Sequence, residues 1–172
     1  MKNFYTLAIF LIAFSINAQE NIKYQKPSKE ILDLVEYERP PSVQYDEEKN
    51  YMVFLYRDNY KSISDLSEKE LRLGGLRINP KTNIGSRVTF FNNVKIKKLK
   101  DKNGPVNQVS GLPDNPKLTN FKWSPDETKI ALTNTTENGV ELWVLDLETA
   151  SVLKLTDAIL NANIGGVINW QP

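Results

Sequence analysis

Arg72 and Arg77 are the residues of this chain best suited to hold a ligand. Two guanidinium forks on one short segment could grip a substrate carboxylate through bidentate hydrogen bonds. The competing use is internal: both could pair with Glu68, Glu70 or backbone carbonyls and fix the segment that carries them. Asp46, Asp126 and Asp146 are candidates for an acid pair, but each falls at a turn or a strand end. There an Asp side chain bonds its own backbone two residues on, so they read as turn formers. Ser151-Val152-Leu153-Lys154 has the spacing by which some hydrolases place an activating Lys beside a Ser on a helix. Here it spans a turn and a strand, where residues i and i+3 point apart. Asn134-Thr135-Thr136 matches a glycosylation sequon.

The absences narrow the chemistry further. The 172 residues include no His and no Cys. That excludes a Ser-His-Asp or Cys-His centre within the chain, and a His metal site. There is no Gly-x-Ser-x-Gly nucleophile elbow. Gly74-Gly75 and Gly165-Gly166 are isolated pairs suited to turns or bulges, not a phosphate cradle. No catalytic residue, cofactor or metal is expected in this chain. The net charge is +1, which implies no strongly charged partner. Lys95, Lys97, Lys98, Lys100 and Lys102 mostly alternate along a strand beside a turn, so they read as a solvated face and not a nucleic-acid surface.

The N-terminus has a different composition. Met1-Lys2-Asn3 is a short positive region, Phe4 to Ile16 is almost wholly apolar, and Asn17-Ala18-Gln19 supplies a small residue before a polar stretch. This is the pattern of a secretory signal peptide over 1–18, cleaved after Ala18. The apolar run is short against the roughly 20 residues that span a bilayer, so no stable membrane insertion is expected after cleavage. A bacterial-type exported protein, periplasmic or extracellular, follows. Residues 19–39 form a leader in which Ser28 is placed to cap a short helix over Lys29 to Val35. Pro40-Pro41 ends it.

The elements that must position these residues are strands. Trp123, then the turn Ser124-Pro125-Asp126-Glu127, then Ile130 to Leu132, then Leu142 to Leu147 with Trp143 and Asp146, then Val152 to Thr156, read as four short strands of one β-propeller blade, about 119–157. The Trp-x-Pro signal returns at Trp170-Gln171-Pro172, close to the period of propeller repeats, and predicts the first strand of a third blade over 166–172. An earlier copy, about 41–111, places Tyr45-Asp46-Glu47 where Ser-Pro-Asp should be. It continues with Tyr51 to Leu55, Val94 to Leu99, an Asn103-Gly104 hairpin turn of positive φ, and Val106 to Ser110. Residues 57–91 are an insertion, in which Ser67-Glu68-Lys69-Glu70 predicts a capping box at the start of a short helix. The expected fold is all-β: a partial β-propeller over 40–172, of about two four-stranded blades plus one strand. Open blade edges in such a piece invite self-association.

Ile31-Leu32-Asp33-Leu34-Val35, Pro40-Pro41-Ser42-Val43, Glu70-Leu71-Arg72-Leu73-Gly74-Gly75-Leu76-Arg77-Ile78-Asn79-Pro80, Thr82-Asn83 and Ser86-Arg87 together resemble the start of secreted prolyl oligopeptidase-family serine peptidases, in the glutamyl endopeptidase-like branch. The resemblance covers roughly 22–172. It implies that the propeller caps an α/β-hydrolase domain, which bears the nucleophilic Ser, the Asp and the His. The expected role of this chain is then a non-catalytic propeller piece that gates peptide access, with Arg72 and Arg77 as candidate substrate-binding residues. Trp123, Ser124, Pro125, Asp126, Trp143, Asp146 and Trp170 are expected to be structural. The alternative is a periplasmic TolB-like binding or scaffolding propeller with no enzyme attached, since the Trp-Ser-Pro-Asp motif is shared with such proteins.

Overall fold

The computed structural model describes residues 25–171; the signal-peptide reading of 1–18 lies outside them. The chain divides into two compact units, Met1–Tyr37 and Glu38–Pro172. Among the described residues, the first holds one helix, α1 (Lys29–Val35). Ser28 stands at its N-cap in extended conformation, as expected, but makes no side-chain cap bond. Ile31, Leu34 and Val35 are exposed.

The second unit is built from three antiparallel sheets. Strands β1 (Ser42–Tyr45), β2 (Tyr51–Tyr56), β6 (Asn93–Lys98) and β7 (Asn107–Gln108) lie in that order in one meander. Strands β8 (Leu118–Trp123), β9 (Lys129–Thr136), β10 (Gly139–Asp146) and β11 (Ser151–Lys154) form the other. Between β2 and β6 the chain makes the helical turn α2 (Ile63–Ser67) and a small sheet of β3 (Leu71–Leu73), β4 (Leu76–Asn79) and β5 (Ile84–Gly85). In the second meander the same position holds only the two-residue turn Glu137-Asn138.

The two meanders share one hydrogen-bond frame. Ser124 Oγ accepts from Lys129 N (3.0 Å), Glu127 N donates to Ser124 O (2.9 Å), and Glu127 takes a left-handed φ of 54°. Asp46 Oδ1 accepts from Tyr51 N (2.6 Å), Lys49 N donates to Asp46 O (3.1 Å), and Lys49 has φ 57°. Asp46 therefore does the work of Ser124, and Tyr45 stands at the position of Trp123. Asp46 thus matches Ser124 and not Pro125, one residue from the position expected from the sequence, because a carboxylate can cap the turn as a hydroxyl does.

That frame reveals how the sheets stack. Val53 and Leu55, with Val94 and Ile96, are the buried face of the first meander. They pack on Ile130, Leu132, Leu145, Leu147 and Val152 of the second. Ile130 and Leu132 are the counterparts of Met52 and Phe54, which lie on the opposite, half-exposed face of the first meander. The sheets thus stack head to tail, with unlike faces in contact. The segment that follows the second meander continues past β11 along the edge of β10, where Leu160 N donates to Val140 O (3.0 Å). Leu160 bridges Val140, and any Cβ at Gly139 (φ 144°) would meet Ala158 O at 2.5 Å.

Three expectations need correction. The insertion helix precedes Ser67: Ser62 and Asp65 make the capping box, and the chain after Glu68 extends into a hairpin. Asn103-Gly104 is a turn closed by Gly104 N to Asp101 O (3.0 Å), without positive φ, inside a longer connection from Lys98 to Asn107. Ile168–Trp170 is irregular, not a strand, since no second strand pairs with it among the described residues. Trp170 Nε1 instead donates to Lys122 O (3.0 Å), and Lys122 Nζ reaches Ile168 O (3.1 Å).

Candidate functional site

The insertion brings Arg72 and Arg77 together across the β3–β4 pair, where they are direct register partners. Gly74 (φ 53°) and Gly75 (φ 91°) make the tight turn that permits this, a backbone shape that favours glycine. Both guanidinium groups then point at one carboxylate. Arg72 Nε and Arg77 Nη1 each lie 2.8 Å from Glu70 Oε1. Ser86 Oγ donates to Glu70 Oε2 at 2.6 Å. Ser86 first, then Arg72, hold the Glu70 carboxyl at a pKa of about 2. Glu70 is therefore the hub of the small sheet, tying β3, β4 and the end of β5. Arg72 stays well exposed beside it, and Arg77 is about one-third exposed.

Next to this hub lies a cleft of about 1420 Å³, walled by the insertion on one side and by the second meander on the other. On the meander side sits a network missed by sequence reasoning. Glu141 is buried, yet accepts from Lys154 Nζ (2.8 Å), Trp143 Nε1 (2.9 Å) and Asn134 Nδ2 (3.1 Å). Burial works to raise its pKa, but these donors outweigh it and the net shift is downward. The spacing Glu141-x-Trp143 on one strand, with a Lys on the next, was the available signal, since alternate residues share a face. On the insertion side Asp65 pairs with Lys117 (2.7 Å), which lowers its pKa. Thr82 and Thr135 are buried at the cleft, their hydroxyl oxygens without a hydrogen-bond partner.

The remaining sequence candidates have structural surroundings. Trp123 Nε1 donates to Gln44 Oε1 (3.3 Å) between the two meanders. Asp126 accepts from Ser124 Oγ (2.6 Å) and from Thr128 Oγ1 (3.0 Å) beside Pro125, in the turn. Asp146 pairs with Lys129 (2.6 Å) and accepts from Thr149 N (3.0 Å). Lys129 first, then Thr149, hold its pKa at about 2. Ser151 Oγ meets Thr149 Oγ1 while Lys154 is engaged by Glu141, so the Ser-x-x-Lys pair is split. Asn134, the sequon residue, is buried and bonded to Glu141, a poor acceptor for a glycan. Lys98 pairs with Glu148, Lys95 lies over the Tyr56 ring, and Lys97 bonds Lys102 O, so the basic strand is spent on local contacts. No group of three or more Asp or Glu suited to a metal ion occurs among the described residues. No described helix is long and apolar enough to cross a membrane.

No family model matches the chain. Two curated proteins do. Each is named "Probable glutamyl endopeptidase, chloroplastic", one from Oryza sativa subsp. japonica and one from Arabidopsis thaliana. Each is 30% identical to this chain, over 150 and 149 residues respectively. The alignments cover 81% of this chain, which spans only 16% of the length of either relative. Over most of its described length, then, the chain is similar to proteins named as peptidases.

Proposed function

We propose that this chain is the opening part of a β-propeller in an exported serine peptidase, and that it acts by restricting peptide access to a hydrolase domain elsewhere in the longer protein. The observation that supports this best is the head-to-tail stacking of two equivalent four-stranded meanders. Heterologous contacts leave one unlike face unused at each end, so the same contact can be repeated and closes into a ring where the rotation per sheet allows. Propellers are such rings of four-stranded sheets. The names of the two relatives add the peptidase, and their greater length leaves room for it.

On this reading the chain contributes shape and not chemistry. Its proposed partner is a peptide substrate, met within the whole protein; no nucleic acid is involved. Arg72, exposed beside the Glu70 hub, is the residue that could still reach a substrate carboxylate. The segment 1–18 is proposed to direct export, so that the exported product starts at Gln19 by mass spectrometry.

Coding sequence beyond Pro172 tests the assignment. A downstream Gly-x-Ser-x-Gly with later Asp and His, and peptide hydrolysis by the longer product that is lost on changing that Ser, are the expected results. Further meanders followed by a stop would favour the TolB-like binding propeller instead. The 172-residue chain alone is expected to hydrolyse no peptide.

A further inference from the structure

The insertion leaves the first meander at the hairpin end where the second has a bare turn, and it then passes the second meander altogether. Asp65 pairs with Lys117 at the start of β8 (2.7 Å). Lys81 stands 3.7 Å from Glu137 at the tip of the β9–β10 turn. Beyond that tip, Ala162 N donates to Asn83 O (2.9 Å), and Ile84 forms a parallel bridge with Ala162. Ile84 is buried there. A segment rooted in the first meander thus holds the second meander at its entrance and tip, and also holds the chain that follows it.

We propose that residues 57–91 are a strap that locks the two meanders and the 158–164 segment into one body, closing the cleft side between them. The Glu70 hub keeps the strap's own sheet stiff enough to transmit the hold. The surface pairs at Asp65 and Lys81 add little by themselves; the buried Ile84–Ala162 junction is the anchor. For gating, which rests on the propeller reading above, the consequence is definite. Peptide does not enter between these two meanders while the strap is closed.

Hydrogen exchange followed by mass spectrometry on the 172-residue chain reads the lock directly. Peptides over 158–164 are expected to be protected in wild type. In Ile84→Asp their exchange should rise by about tenfold or more, with β2, β6, β9 and β10 unchanged. A folded Ile84→Asp protein in which 158–164 stays protected overturns the strap. Because Ile84→Asp could disrupt folding, the pair Ile84→Cys with Ala162→Cys is the second test. It should close a disulfide within the monomer under mild oxidation, and closure should slow exchange over both 63–85 and 158–164. A folded pair that fails to close, or closes without slowing exchange, also overturns the proposal. Neither readout involves peptide hydrolysis, so an inactive longer protein would defeat the peptidase reading and leave the strap standing.

Discussion

Glu70 shows how one residue redirects the chemistry of two others. Arg72 and Arg77 have the right type and proximity for carboxylate recognition, and the carboxylate they find is Glu70. The sequence left ligand and internal partner as open alternatives, because Glu70, two residues before Arg72, could equally face away. Only the β3–β4 register puts it between them. Glu70→Gln removes the charge while keeping one acceptor oxygen. It is expected to speed tryptic cleavage after Arg72 and Arg77 several-fold, measured by mass spectrometry of timed digests. The global melting temperature should move by less than about 3 °C, since exposed pairs contribute little. Unchanged digestion would show that the hub does not hold the hairpin. Acid response belongs at this scale too. Glu70 and Asp146 are both held at a pKa of about 2, below the unfolded values of about 4. A lowered folded pKa means that the unfolded chain binds protons more readily. The stability these groups contribute is present above about pH 4 and is lost as pH falls toward 2. Urea midpoints should therefore be level from pH 7 to 5 and drop below pH 4. Asp146→Asn, which frees Lys129, should flatten that drop; an equally steep drop in the variant would mean that Asp146 plays no part.

The strands were largely legible in the sequence, and the reasons differ from strand to strand. Apolar alternation at Tyr51 to Leu55 and Val94 to Leu99 finds β2 and β6 within a residue at each end, since a half-buried strand must alternate. The turn at Ser124 was legible because Pro and Asp preset it. Its partner at Asp46 was misaligned by one residue, because hydrogen-bonding role and not residue type is what repeats. The insertion helix was misplaced: Ser62-x-x-Asp65 and Ser67-x-x-Glu70 are near-identical signals, and the hub claims Glu70 for the sheet. The cleft was not legible at all, since it depends on how far the insertion reaches over β9 and β10. Nor could local pattern show which face of each meander is inside. That distinction gives a prediction. Leu132 and Phe54 hold equivalent positions, one buried between the sheets and one half-exposed. Leu132→Ala should cost about 2–5 kcal/mol by urea denaturation. Phe54→Ala should cost clearly less, despite removing more carbon. Equal losses would mean that the head-to-tail assignment of faces is wrong.

At the scale of the whole molecule, head-to-tail stacking leaves an unmatched surface. The outward face of the first meander carries Val43, Tyr45, Met52, Phe54 and Tyr56. Its counterpart in the second meander, around Trp123, Ile130 and Leu132, is buried against a neighbour. Val43 and Tyr45 are exposed at 41% and 52%. Burying a large apolar side chain is worth about 1.5–3 kcal/mol, and a whole domain has a net stability of only about 5–15 kcal/mol. A handful of such side chains left in water therefore weighs heavily. In a longer propeller the last sheet of the ring would cover this face. In the 172-residue chain the same surface is free to find another copy. Sedimentation velocity should show association that grows with concentration, and a melting transition that rises with it. Tyr45→Lys with Phe54→Lys should return the chain to a monomer without lowering the melting temperature of the dilute protein, because both side chains already contact water. On the propeller reading, the same pair placed in a chain extended through a whole ring should be strongly destabilising, because the last sheet would cover the face. A wild-type chain that stays monomeric at all concentrations and melts cooperatively above about 65 °C, the upper end for ordinary domains, would show that two meanders complete the fold. The outward face would then be a surface and not a joint.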